Sequence, residues 1–392
     1  MAYQEVTKTS YGSRLGNSLK GIGTGIVLFI AATALLWWNE GNAKKTADAI
    51  KGFDKACVDV ADMSKVDPAL NGQPIHAVAV AKTDEVLSDP DFGISVNAIC
   101  LVRDVEYYQW VETSTSETKD KIGGGQETVT TYNYHKDWVS SPVNSDNFKD
   151  PDYQGSNFVR ANISDNSVSA QKVDFGAYVL PERMINSIPA NTEVSVPITL
   201  ANGEDIFVLN DTVYYGEEPD SPAVGDVRVT FRKADGGEAS ILAQVKGNTF
   251  EPYQHKNGKT IMTLSMGNLS QAQMIESAKS SNKMLLWVFR ILGIMLVIAA
   301  LRMMFSIVVS LLKVLPPLAK VGELGINLVT AVVGFIWSLL VILVAWVIYR
   351  PLVAVPLAVA ICLLVAFLIS KSKKVPDAAP APAPAVPEAN AE

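Results

Sequence analysis

Residues 21–38, GIGTGIVLFIAATALLWW, form an uncharged apolar run of eighteen residues. A hydrocarbon core about 30 Å thick takes roughly 20 apolar residues as a helix. The run therefore reads as a membrane span. It closes on Trp37 and Trp38, a residue type that settles where lipid meets water. Lys8, Arg14 and Lys20 precede it. A basic start before an apolar stretch also fits a secretory signal. Against that, the stretch is long, and Trp37-Trp38-Asn39-Glu40 offers no small-residue cleavage site. The expectation is an uncleaved anchor.

More apolar sequence follows far downstream. Residues 284–301 make a second span, with Trp287 near one interface. Arg290 lies about two turns inside, so its side chain is expected to snorkel outward as a membrane anchor. Residues 302–323 are apolar but broken by Lys313, Pro316 and Pro317. They read as a cytoplasmic amphipathic or re-entrant segment. Residues 324–349 and 352–369 are the third and fourth spans. Only Arg350-Pro351 separates them, which forces a tight helical hairpin, with Arg350 as a second anchor. Asn327, Thr330, Ala331, Gly334 and Ser338 recur at three- and four-residue steps, a small-residue stripe suited to close helix packing. Residues 370–392 are Ala/Pro-rich and read as a disordered tail.

Charge divides along the same lines. Residues 39–283 carry 22 Lys and Arg against 35 Asp and Glu, while the rest carries 11 against 5. Four spans put both termini on one side, together with every basic flank. The positive-inside rule makes that side cytoplasmic. Residues 1–20 are then a cytoplasmic segment. Residues 39–283 face the periplasm of a bacterial inner membrane, or a lumen. A net charge of −7 argues against nucleic acid as a partner. Lipids, envelope or membrane proteins and a second copy are the partners expected.

Within residues 39–283 the pattern is mainly alternating and β-branched. Strands are expected over residues 76–82, 94–103, 105–113, 127–134, 194–200, 205–210, 226–232, 239–246 and 260–266. Lys121-Ile-Gly-Gly-Gly-Gln126 reads as a hairpin turn. Helices are expected at both ends, running into the first and second spans. The fold class is α+β: four transmembrane helices with a β-rich extracytoplasmic domain inserted between the first and second.

Catalytic patterns are missing. There is no Gly-x-Ser-x-Gly, no His-Glu-x-x-His and no phosphate loop. His76, His135 and His255 lack companions at metal spacing. No catalytic, cofactor-binding or metal residue is assigned, no cofactor is expected, and the chain reads as a non-enzyme. Cys57 and Cys100 share one domain, which leaves a disulfide open. Aromatic residues are the distinctive feature: Tyr107, Tyr108 and Trp110, then Tyr132, Tyr134 and Trp138. Cross-strand pairing explains them first. An exposed partner-binding face is the sharper alternative.

Several segments resemble the LUMA family (transmembrane protein forty-three). They are Asn39-Glu40-Gly41-x-Ala43-x-Lys45-Thr46-Ala47, Val105-Glu106-Tyr107-Tyr108-Gln109-Trp110-Val111-Glu112, Tyr132-x-Tyr134-x-x-x-Trp138, Asn144-x-x-x-Phe148, Val224-Gly225-Asp226-x-Arg228-Val229-x-Phe231 and Tyr349-Arg350-Pro351-Leu352. Their order and the four-span layout are specific together. The tail and the Gly123-Gly124-Gly125 turn depart from the family pattern. The resemblance implies four spans and a large lumenal or periplasmic domain. It also implies a role in organising membrane proteins through self-binding and partner binding, with no catalytic residues. The leading expectation is a self-associating membrane scaffold. A channel or transporter component, drawn from Arg290 and residues 303–317, is the alternative. An envelope enzyme around His135, Asp137 and Glu106 stands third.

Overall fold

The computed structural model describes residues 3–351 apart from Gly203 and Leu315, together with Pro356 and Leu363; for residues 316–320 it describes the backbone alone. Its main strands are β1 (Tyr3–Thr9), β2 (Pro74–Lys82), β3 (Cys100–Asp120), β4 (Gln126–Val139), β5 (Ile206–Leu209), β6 (Thr212–Tyr215), β7 (Val227–Ala234), β8 (Gly237–Lys246) and β9 (Thr263–Met266). The long helices are α1 (Tyr11–Ala56), α2 (Gln271–Leu312) and α3 (Pro316–Tyr349). Among the described residues, three helical stretches are long and apolar enough to cross a membrane: Tyr11–Ala56, Gln271–Leu312 and Val321–Tyr349. The expected fourth span and the tail lie outside the described residues.

Helix α1 has 46 residues, so it rises about 69 Å, far beyond one bilayer crossing. The Ser10 side chain caps its start by accepting from the Ser13 amide. Helix α2 opens on a capping box between Ser270 and Gln273 and runs for 42 residues. It does not break at Arg302: the first part of the expected amphipathic or re-entrant segment, up to Leu312, continues α2. The reason is a partner along the whole length. Gly25 brings α1 against the Ala300 carbonyl, where an added Cβ would sit 2.9 Å from the oxygen. Ser18 Oγ and Ser310 Oγ are 2.6 Å apart. Leu36 is buried with Ala32, Val297, Leu301 and Val341. Lys313 then ends α2, and Pro316 opens α3, where its missing N–H costs nothing.

Among the described residues, two large sheets form most of the aqueous domain, with two two-stranded sheets beside them. The first runs β1–β4–β3–β7–β6–β5. The second is built on β8, which pairs with β2 and β9. Ile75 and Ala77 of β2, Ile241 and Ala243 of β8, Val105 and Tyr107 of β3, and Val229 and Phe231 of β7 share one buried core. A second cluster ties the domain to the helices through Ile50 and Phe53 of α1, Leu242 and Ile261, and Met274 and Ile275 of α2. Three expected strands differ; residues 260–266 divide into Thr260–Ile261 and Thr263–Met266. Residues 194–200 hold a 3₁₀ turn, Ile198–Leu200, after Pro197, which has no amide to give a ladder. Residues 94–103 divide into Ile94–Asn97 and the start of β3.

Strand β3 outruns the domain. Its burial alternates from Arg103 to Trp110, as expected for a strand with one face on a core, and then residues 113–119 are exposed throughout. Beyond the core it continues as a hairpin with β4, closed by Gly123 and Gly124 at φ +93 and +83. Strand β1 joins this hairpin with Tyr3 opposite Tyr132 and Thr9 opposite Gln126. The segment expected to be cytoplasmic holds β1, the third strand of this ribbon, laid along the edge of β4 from Gln126 to Tyr132.

Candidate functional site

The most constrained chemistry lies where the helices leave the membrane. Glu40, on α1 just past the apolar run, has no exposed surface. Arg290 Nε of α2 donates to its Oε1 at 2.6 Å. Arg350, following α3, brings Nη1 to 3.6 Å from Oε2, longer than a hydrogen bond. Neither Glu40 Oε2 nor Arg350 Nη1 has a hydrogen-bond partner among the described residues. Trp287 lies 4.8 Å from the Arg290 guanidinium and Trp346 5.5 Å from that of Arg350. Each cation thus has a π face on one side and the shared carboxylate on the other. Asn39 Nδ2 donates to the Leu286 carbonyl at 3.0 Å, and Asn282 Nδ2 to the Ala43 carbonyl at 3.0 Å. One carboxylate therefore fastens three helices at a single level. Arg290, expected to snorkel outward, is held on Glu40.

The stripe on α3 packs within the chain. Thr330 and Ser338 are buried, with Ala331 and Asn327 partly so. A Cβ added at Gly334 would meet Ile298 Cγ1 of α2 at 2.8 Å. The close approach that small residues allow is spent against α2.

The aromatic residues pack where the ribbon leaves the domain. Tyr107 is buried in the core, and its hydroxyl donates to the Ile163 carbonyl. The other five share the opposite face. Tyr108 and Trp138 are cross-strand partners with centroids 5.2 Å apart. The Arg228 guanidinium covers Trp138 at 4.3 Å, and Arg228 Nε donates to Glu106 at 2.6 Å. Tyr153 lies 4.8 Å from Trp110 and stacks on Tyr134 at 4.2 Å. Tyr132 meets Tyr3 of β1 at 6.1 Å. Burial and the Glu112 carboxylate, which accepts its hydroxyl hydrogen bond, push Tyr134 up to about 12. The rings are mutual partners, and what they leave open is a half-exposed aromatic strip.

The remaining candidates disperse. His135 and Asp137 are exposed on β4, and Glu106 is held by Arg228. His76 is buried between Asp59 at 2.6 Å and the Leu269 carbonyl at 2.8 Å, a clamp between strand and helix start. Cys57 and Cys100 are free thiols. No cluster of three or more His, Cys, Asp or Glu suited to a metal ion occurs among the described residues.

Sequence reasoning missed Glu40 as a site and missed the ribbon tip. There Arg14 Nη1 donates to Asp120 at 2.8 Å and to the Gly124 carbonyl at 3.0 Å, and Lys313 lies 3.7 Å from Asp120. A lone acid at the end of a span, with one arginine two turns inside the second span and another closing the third, was the available signal for Glu40.

Three membrane-grade helices, fastened by a buried carboxylate beneath a two-sheet domain, define an integral membrane protein with one large aqueous domain. The family model for Transmembrane protein 43 matches residues 107–351. Transmembrane protein 43 of Rattus norvegicus is 31% identical over 377 residues, covering 93% of this chain and 92% of that protein. That of Homo sapiens is 29% identical over 371 residues, with 92% of each covered. The homolog of Drosophila melanogaster is 28% identical over 352 residues, covering 86% of this chain and 90% of its own. The chain belongs to the transmembrane protein 43 family. No solved structure matches it.

Proposed function

We propose that this chain is a non-enzymatic membrane scaffold that self-associates and organises neighbouring membrane or envelope proteins. The observation that carries this reading is the ribbon's pair of strand edges, on β1 and on residues 113–119 of β3, that are open among the described residues. An open edge is a template for another chain. The domain that presents it cannot swing freely, because α1 and α2 run unbroken from membrane to core. For orientation, the basic flanks favour a cytoplasmic N-terminal end and an extracytoplasmic domain, periplasmic in a bacterial inner membrane. Light scattering on the detergent-solubilised chain tests the reading. A particle larger than one copy, or one retaining a protein partner, is expected. A strict monomer without a partner overturns it.

A further inference from the structure

The ribbon joins the two ends of the helix pair. At one end Phe53 of α1 is buried against the domain. At the other Arg14 of α1 holds Asp120, and the Gly123 amide donates to the Val314 carbonyl at 3.2 Å. Between Arg14 and Phe53 α1 rises about 58 Å. Tyr107 is the last β3 residue paired with β7, and from there to Asp120 the strand covers about 43 Å. Residues 21–38, about 27 Å of helix, lie between the two anchor points. The ribbon therefore runs alongside the first span for its whole depth.

Its composition does not suit lipid. At the depth of the span, Glu5, Thr130 and Ser116 form one row across the three strands, and the adjacent row on the opposite face is Gln4, Thr131 and Thr115. Both faces are polar. A strand pair crossing hydrocarbon needs an apolar outer face and no open edge. Irregular or polar backbone survives at that depth only where protein or water surrounds it.

We propose that the ribbon crosses the bilayer inside a water-filled passage enclosed by copies of this chain, with the membrane helices between it and lipid. A second copy is the partner because its β1, a polar strand of seven residues, matches residues 113–119 of β3 in length and polarity. The free edge of β1 faces the free edge of β3 in the next copy, and a closed ring leaves neither exposed. The proposal rests on the self-association part of the scaffold reading and adds a polar path across the membrane.

The test uses the full-length chain in membranes, with Cys57, Cys100 and Cys362 replaced by serine. Thr7→Cys with Thr128→Cys places two thiols on paired positions. Oxidation is expected to cross-link them within one chain. A membrane-impermeant maleimide is expected to label single Thr7→Cys only from the side opposite the domain. The same reagent is expected to label Ser116→Cys, four residues before the end of β3, but not Val27→Cys in the span. Absence of the cross-link, labelling of Thr7→Cys from the domain side, or a silent Ser116→Cys each overturns the passage. A monomeric particle with the cross-link intact overturns self-association and the passage with it. An oligomer without the cross-link overturns the passage alone.

Discussion

Replacing Glu40 with alanine leaves two arginine side chains facing a buried void with no counter-charge. Their exposures are 15% for Arg290 and 22% for Arg350, against 0% for Glu40. Breaking a buried ion pair from one side costs about 3–5 kcal/mol. Partial exposure of both arginines argues for the lower end, about 3 kcal/mol, or roughly a hundredfold in the folding equilibrium. Arg290→Met removes the 2.6 Å arm and strands the carboxylate, so its cost is similar. Arg350→Met removes an arm without a hydrogen bond and is expected to cost about 1 kcal/mol. Unfolding in mixed micelles, followed by tryptophan fluorescence, reads the order, since Trp287 lies against Arg290. Glu40→Met combined with Arg290→Met and Arg350→Met is expected to recover much of the loss, because no member of the node is then left as an unmatched charge. A Glu40→Ala loss below about 1 kcal/mol, or strict additivity in the combined variant, refutes the assignment of this node as the fastening point.

Three further outcomes are expected. Tyr134 is raised to about 12 by burial and Glu112, and Tyr214 is raised too, by burial and Asp226. A raised folded pKa gives stability that is complete below the unfolded value near 10 and lost as pH climbs through the folded one. The denaturant midpoint should therefore fall between pH 10 and 12, and Tyr134→Phe should flatten that fall; a midpoint constant over this range contradicts it. Burial, with Asp59 and Asp54 beside it, pushes the Cys57 thiol up to about 12. Iodoacetamide at pH 8 should modify it slowly in native protein and quickly in denaturant, as read by peptide mass spectrometry; equal rates would count against the burial. Gly25→Val should push α1 from α2 and cost about 1–3 kcal/mol. Gly23→Val, with open space around it, is the control, and equal melting of the two variants would remove the packing argument.

Within the described residues, the sequence by itself determined the elements and much of their order. The run at residues 21–38 carries no charge for eighteen residues, and no soluble packing is needed to explain it. Alternation over residues 100–110 and the glycine turn at 123–125 announced the hairpin, because period and turn chemistry are local. The small-residue stripe on α3 announced a packed helix face without saying which helix it meets; the fold gave it α2. What stayed hidden depended on residues far apart in the chain. Glu40 and Arg290 lie 250 positions apart, and the fold alone brings them together. Residues 302–323 read as a segment apart from the second span because of Lys313, Pro316 and Pro317, yet residues 303–312 continue α2, and α1 supplies Gly21, Gly25 and Ser18 as a groove for them. Strand β1 was unreadable as a strand because a polar seven-residue segment has no apolar face to reveal its pairing. Only the edge of β4 gives it one, and with it the ribbon's course beside the spans.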